Sequence, residues 1–410
     1  MKLGQSSLTS SVVVRALVAG IATLVAACGA PVDATEEAEQ VGSTNQAIQA
    51  ANTWSKWYMD TNGGIKALPA NVFANGAPAV SSAWEGYCST TCDSGHQLLR
   101  VVQYTNNGKY YQTYWTPNNG WLAGWTALST QTFSRAPAMT SWDFPIVNQP
   151  QASISLVAGV VNGAVKTFKL GTGVTQSTTW SSTNITGCAG NAALTQDQPG
   201  SASGDMYLFC ANNDSTIHGW RIAKSSFGIN GHPTTWTQIS NTTGTIEPSF
   251  AVSAGQIWGG QVNVFAQDPV GQQYWVNYFN LSSGSWAGWQ MIPQFTGANQ
   301  SFNTGPTAAV TRGTGGRVDV FGLVLTDNGG SAVVNPVDIF YSDAAGAWTF
   351  NPNLPNTDTN ANRAFGGVGA SLFTYFTGGA AHKYIELFTL DQATGKLKES
   401  VYRYPTNLGG

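Results

Sequence analysis

Residues 259–292 read GGQVNVFAQDPVGQQYWVNYFNLSSGSWAGWQMI. QVNVFAQ alternates polar and apolar side chains with the period of two of a half-buried β-strand, and YWVNYF follows as a run of aromatic and β-branched residues. Between them DPVG is turn chemistry, and SSG separates the second run from SWAGWQMI, which carries Trp286 and Trp289. That ending has a near copy far upstream, NNGWLAGWTAL at residues 118–128.

The copy belongs to a longer series. Tryptophans followed by a short polar-apolar tail stand at Trp125, Trp180, Trp236, Trp289 and Trp348, separated by 55, 56, 53 and 59 residues. Each of the last four is preceded by a small-residue apolar run: APAMTSW from Ala136, NAALTQ from Asn191, PSFAVSAG from Pro248 and PTAAVTRG from Pro306. A V-x-V-F type strand comes next, as in DMYLFCAN from Asp205, QVNVFAQD from Gln261, RVDVFGL from Arg317 and, more loosely, AVKTFKL from Ala164. An aromatic strand and the tryptophan strand complete the unit, so each unit holds four antiparallel strands. Units of this kind at a fixed period are the signature of a β-propeller, in which each blade contacts only its neighbours. A β-sandwich is the structural competitor, but it does not require so regular a period.

Tryptophan strands end blades near residues 128, 183, 239, 292 and 351. A sixth unit starts at Asn362 (NRAFGGVGA), continues through KYIELFTL from Lys383 and KLKESVYRY from Lys396, and lacks a fourth strand. NTWSKWYM, residues 52–59, stands alone before the first unit and supplies the missing strand. The expected fold is therefore all-β, a six-bladed propeller of four-stranded antiparallel blades whose ring is closed by the N-terminal strand. Seven blades is the alternative count, because the first unit, Asn71 to Leu128, carries extra residues around Cys88 and Cys92.

Composition fits this reading. The 410-residue chain is 42% hydrophobic and holds 47 Gly and 15 Trp, while charged residues make up 10% against about a quarter in ordinary globular proteins. The formal net charge of −3 includes no basic block, so neither nucleic acid nor an anionic lipid surface is an expected partner.

Lys2 and Arg15 flank a polar start, after which ALVAGIATLVAAC forms an apolar run of signal-peptide length, too short to span a membrane. Its end, Val25-Ala26-Ala27-Cys28, resembles the bacterial lipobox. That resemblance implies a lipoprotein-type signal peptide over residues 1–27 and lipidation of Cys28; ordinary cleavage near Ala27 is the alternative. Gly29 stands where inner-membrane retention signals usually carry aspartate, which favours an outer-membrane lipoprotein or an extracellular protein. Residues 28–50 hold Glu36, Glu37 and Glu39 and no aromatic residue, and read as a flexible tether to the propeller domain, residues 51–410. Four cysteines remain in an oxidising compartment, and of three possible pairings Cys88–Cys92 with Cys188–Cys210 is the expected one. No metal site is expected, since C-x₃-C has no second pair and only His96 nearby.

Catalytic signals are sparse. The sequence has no nucleophile elbow, no H-E-x-x-H and no phosphate loop, and His96, His218, His232 and His382 lie in unrelated contexts. SDAAGAW, Ser342 to Trp348, has the wrong spacing for a sialidase aspartate box, and no cofactor is expected. What recurs is an aromatic platform beside a hydrogen-bonding group. Aligned third strands place Tyr111, His218 and Trp275 in one row and Tyr114, Arg221 and Tyr278 in another. Such residues suit a sugar, with an apolar C–H face to stack and a rim of hydroxyls to bind. The competing reading is that aromatics in blade strands pack between blades, and Trp125, Trp289 and Trp348 are expected to be structural.

The order V-x-V-F-A, G-x-x-Y/W, G-W-x-G-W-x-x-L resembles the Trp-rich repeats of bacterial propeller lectins that bind fucose and related sugars between adjacent blades, and more distantly the tectonins and fungal fucose lectins. The resemblance is best in residues 259–292, fair in the first unit, and degenerate in the second, fifth and sixth. It implies sites built from an aromatic, an acid and a base of neighbouring blades, fewer in number than the blades, taking fucose-like or methylated sugars. The function expected is non-catalytic carbohydrate binding; the alternatives are a protein-interaction scaffold and a glycan hydrolase or lyase. The oligomeric state is not legible.

Overall fold

A computed structural model describes residues 67–403 except 88–95, 117–119, 123, 145–149, 173–175, 198–203, 224–225, 227–231, 233, 243–251, 257–259, 269–272, 294–299, 303–304, 313–316, 328–331, 343–345, 352–353, 355–363, 378–379 and 392–396. The chain divides into two units, 1–39 and 40–410, and all described residues belong to the second. They form no α-helix.

Alternating sequence runs become antiparallel ladders, grouped as six blades. The first blade comprises β1 (Ala79–Tyr87), β2 (His96–Tyr104) and β3 (Tyr110–Thr116), with an outer edge split into β4 (Gly120–Trp121) and β5 (Thr126–Ala127), both paired to β3. The second comprises β6 (Ala138–Phe144), β7 (Pro150–Val161), β8 (Ala164–Thr172) and β9 (Ser181–Ser182). The third runs β10 (Cys188–Gln196), β11 (Met206–Asn212), β12 (Ile217–Ile222) and β13 (Thr237–Gln238) in simple order. The fourth has β14 (Val252–Gln256), β15 (Gln261–Gln267), β16 (Tyr274–Asn280) and a split edge, β17 (Ser285–Trp286) and β18 (Gln290–Met291).

In the fifth, β19 (Gln300–Phe302) and β20 (Ala308–Arg312) both pair with β21 (Arg317–Asp327), followed by β22 (Ala332–Ser342) and β23 (Ala347–Asn351). The sixth shows β24 (Ala364–Thr377), β25 (Ala380–Asp391) and β26 (Leu397–Arg403). The first unit is thus one blade and the count is six, not seven. One departure from independent blades is a short ladder between β1 and β7, Gly86 opposite Gln151 and Tyr87 opposite Pro150, which joins the first two sheets.

Because successive strand residues face opposite sides of a sheet, each blade presents one apolar row to each neighbour. In β2, Leu99 and Val101 pack toward the sixth blade while Val102 packs toward the second. The buried side chains accordingly fall into six clusters, one per junction, and the last of them closes the ring: Val80, Leu99 and Trp121 of the first blade meet Tyr384, Phe388 and Leu397 of the sixth. Ser82 Oγ donates to the Leu372 carbonyl across the same junction at 2.5 Å. The proposed closing strand, residues 52–59, lies outside the described residues, as do Cys28, Cys88 and Cys92.

Each repeat tryptophan packs into the junction with the blade before its own. Trp125 lies between blades six and one, Trp180 between one and two, Trp236 between two and three, Trp289 between three and four, and Trp348 between four and five. Trp180 shows the density of such a contact, with Phe133 at 4.4 Å, Phe168 at 5.1 Å and Tyr110 at 5.6 Å between ring centroids. Two second-strand glycines receive aromatic rings from the preceding blade: a Cβ at Gly159 would meet Tyr110 and Phe133, and one at Gly322 would meet the Tyr274 hydroxyl. The Cys188–Cys210 disulfide, Cα atoms 5.7 Å apart, ties β10 to β11 across a bulge, as the sequence led us to expect.

Trp236, 2% exposed, tests this arrangement. Trp236→Ala should lower unfolding stability by about 3–5 kcal/mol, and Gly322→Ala by roughly 1–3 kcal/mol through overpacking. Chemical denaturation checks both, and a loss below about 1 kcal/mol at Trp236 would contradict a junction role.

Candidate functional site

The two rows of aligned third-strand residues do not share a surface. Positions three apart in a strand face opposite ways, so each pair divides between two junctions. Tyr111 packs against the junction of blades six and one, whereas Tyr114 faces blade two with the Arg100 guanidinium 5.4 Å from its ring centroid. His218 shares the face of Trp220 and Ile222, toward blade two, and Arg221 shares the face of Ile217, toward blade four. Trp275 lies on the face of Phe279, toward blade three, and Tyr278 on that of Tyr274 and Val276, toward blade five. Only the junction between blades three and four receives residues of both rows, Arg221 from one side and Trp275 from the other. They stand toward opposite ends of it: Arg221 is next to last in β12 and Trp275 is second in β16.

At the Arg221 end the hairpin register builds a charged cluster. Tyr207 stands opposite Arg221 in the β11–β12 ladder, which brings Asp205, just before β11, beside the guanidinium. Arg221 Nε donates to Asp205 Oδ2 at 2.6 Å, and Nη2 contacts the same oxygen. The bond to Asp205 raises the Arg221 pKa further. Asp197 Oδ1 accepts from the Asp205 backbone N–H at 2.8 Å, and burial lifts the Asp197 carboxyl above its usual range. Burial also pushes the Tyr207 hydroxyl up to about 12. The Arg221 side chain is 52% exposed while Asp205 is 15% exposed, so a positioned guanidinium is presented to solvent with its acid partner beneath. Behind it Tyr207, Phe279 and Trp286 fill the junction.

At the other end, half-buried Trp275 has an indole N–H with no hydrogen-bond partner among the described residues. Its cross-strand neighbour Met291 is 52% exposed.

Other junctions at the level of Arg221 hold different chemistry. Between blades one and two, Ser141 Oγ donates to Ser81 Oγ at 2.6 Å and lies 2.7 Å from Ser155 Oγ, all three buried close to Arg100 and Tyr114. Between two and three, His232 bridges Thr167 Oγ1 at 2.9 Å and Ser177 Oγ at 3.1 Å, near the buried Lys169. Between five and six, Arg317 pairs with Asp319 through Nε at 2.8 Å and packs over the Phe340 ring at 3.8 Å. Asp338 lies 3.6 Å from Arg317 and accepts from Asn351 Nδ2 at 3.0 Å.

His218 is held by its own hairpin. Its Nε2 lies 2.7 Å from Asp214 Oδ2 and its Nδ1 3.0 Å from Asn212 Nδ2, so Nε2–H donates to the carboxylate and Nδ1 accepts from the amide. Both ring nitrogens are occupied, which leaves neither for a sugar hydroxyl or a proton transfer. Asp205 and Asp197 were not among the sequence candidates, although the DMYLFCAN strand that places Asp205 was visible.

A cavity of about 90 Å³ lies among first-strand runs, lined by Ala79, Pro137, Asn191, Ala193, Thr307 and Ala370 among others. Its described lining residues carry no titratable side chain. The carboxyl pairs Asp319–Asp338 and Glu386–Glu399 are sealed within junctions, each side chain at most 2% exposed.

No family model and no curated protein matches the chain. Among solved structures it is similar to the Aleuria aurantia lectin in complex with α-methyl-L-fucoside, at 12% identity over 83% of this chain and 99% of that one, TM-score 0.45. The six-bladed β-propeller form of that fungal lectin gives 14% identity over 82% and 97%, TM-score 0.47. The Penicillium chrysogenum α-L-arabinanase complexed with arabinobiose gives 12% over 84% and 98%, TM-score 0.42.

The His232 bridge makes a prediction about acid. Burial, aided by Lys169, lowers the His232 pKa to about 4, so between there and the unfolded value near 6.5 the unfolded chain binds the extra proton. Stability should therefore fall as pH drops from about 6.5 toward 4, and His232→Gln should flatten that part of a denaturation-midpoint profile. An unchanged slope in the variant would assign the acid sensitivity elsewhere.

Proposed function

We propose that this chain is a non-catalytic carbohydrate-binding propeller whose binding site lies at the junction of blades three and four. The observation that carries the reading is the Arg221 guanidinium, half exposed and fixed by Asp205, at a blade junction that also receives Trp275. A guanidinium with N–H donors turned to solvent, beside carboxylate acceptors, matches the alternating donors and acceptors of a sugar's neighbouring hydroxyls. Holding the side chain in place beforehand lowers the entropy lost on binding. Trp275 with Met291 offers a second, apolar surface at the far end of the same junction, suited to the C–H face of another residue of an oligosaccharide.

The likeness of the repeats to fucose-binding propeller lectins supports neutral sugars such as fucose or methylated sugars as the ligand class. Tyr114 and Tyr278 stand at the position equivalent to Arg221 in their own blades, and Tyr111 and His218 at that of Trp275. The latter two are engaged within the protein, so fewer sites than blades are proposed. Hydrolysis finds less support, because the cavity among the first strands has no titratable group in its lining and the paired carboxyls Asp319–Asp338 and Glu386–Glu399 are closed to a glycan. Export with a lipid on Cys28 belongs to the same proposal, resting on the apolar run and the four residues that end it.

A glycan array probed with the propeller is the test. Arg221→Ala should weaken binding by about tenfold or more, because hydrogen bonds from charged groups are worth ~1.5–3 kcal/mol. The same variant should unfold within about 1 kcal/mol of the parent, as expected for an exposed ion pair. Binding unaffected by both Arg221→Ala and Trp275→Ala would move the site elsewhere, and no binding to any glycan would overturn the reading.

A further inference from the structure

Glu386 and Glu399 are the carboxyls that the sugar-binding reading leaves unused. Glu386 lies in β25 and Glu399 in β26, in register diagonally, since Glu386 stands opposite Val401 and Glu399 opposite Phe388. Both share the face that carries Tyr384, Phe388 and Leu397 into the junction with the first blade. Glu386 is 0% exposed and Glu399 2%. No N–H or O–H of the described residues reaches either oxygen of Glu386, and its polar neighbour is the carboxyl of Glu399. Two carboxylates cannot hydrogen-bond to each other; a carboxylic acid and a carboxylate can.

On the same face of β24, Ser371 stands opposite Glu386 and its hydroxyl points to the Leu372 carbonyl at 3.4 Å. From β2 the facing residues are Leu99, Val101 and Gln103, and from β3 and β4 Tyr111, Thr113, Trp115 and Trp121. The titratable groups among these are Tyr384 and Tyr111. By alternation the positions of Tyr375, His382 and Arg403 belong to the same face of the sixth blade, with side chains outside the described ones. Burial, then the charge of Glu399, pushes the Glu386 carboxyl well above the usual range.

We infer that Glu386 and Glu399 share one proton, which lets both carboxyls lie in the junction between the sixth blade and the first, so that the ring's closing junction loosens as the solution becomes alkaline. A carboxyl held protonated in the folded state contributes stability that is complete below the unfolded value near 4.3 and declines as pH rises toward the folded one. The sense is opposite to that of His232, so acid and alkali act on different junctions.

Hydrogen–deuterium exchange at pH 5, 7 and 9, corrected for the intrinsic rate, separates them. Amides of β25 and β26 should lose protection with rising pH, by about tenfold for each unit the pair's titration stands above the ordinary carboxyl value. Those of β11 and β12 in the third blade should keep theirs. Glu386→Gln supplies an amide N–H to Glu399 without needing a proton, and should hold β25 and β26 protected at pH 9. Glu399→Gln is the reciprocal variant should the first fail to fold. Protection of β25 and β26 that does not change with pH, or that falls equally in the folded Gln variants, would overturn the inference.

Discussion

A tryptophan laid across the seam between two blades is the contact on which this fold depends. A four-stranded sheet with apolar rows on both faces cannot bury either row alone, and in this ring it does so only against its neighbours. The outer strands are short, two residues in β9, β13 and β18, and could not hold a blade edge by backbone pairing. The large indole beside each of them reaches into the preceding blade and supplies area that the ladder lacks. Glycines such as Gly159 and Gly322 make the opposite half of the fit, since a side chain there would displace Tyr110 or the Tyr274 hydroxyl.

The same seams are where chemistry collects. At one level of the ring, the junctions carry in turn a serine cluster with Arg100, a histidine bridging Thr167 and Ser177, the Arg221–Asp205 pair, a buried Asn263, the Arg317–Asp319–Asp338 network and the two glutamic acids. Blades related by repetition place equivalent positions at equivalent depths, and substitution has then given each junction its own polar group. Where that group is buried it must be satisfied or neutralised within the seam, as Asp319 is by Arg317. Where it reaches solvent, as Arg221 does, the seam presents a positioned charged group at the surface, which is the basis of the proposed site.

The architecture was legible because its cause is periodic. A tryptophan recurring at nearly constant spacing marks blade ends to within a few residues, and of the two expected disulfides Cys188–Cys210 is formed while Cys88 and Cys92 lie outside the described residues. The site was legible only in part. Aligning third strands set Tyr111, His218 and Trp275 in one row and Tyr114, Arg221 and Tyr278 in another, and strand parity sends the two rows to different neighbours. Asp205 is 16 residues from Arg221 and meets it only through the hairpin register, which a repeat alignment does not supply. His218 resembled a ligand group, but Asp214 and Asn212 in the adjoining turn engage both of its nitrogens. The buried glutamates gave no signal at all, because strand position alone does not reveal that both point into one closed seam.

A crystal structure of the protein soaked with the strongest glycan from the array addresses the central claim, that the working unit is the junction and not the single blade. The sugar should lie between blades three and four, hydrogen-bonded to Arg221 and touching residues of both. A sugar seated wholly on one blade, or at the mouth of the central channel, would contradict the account.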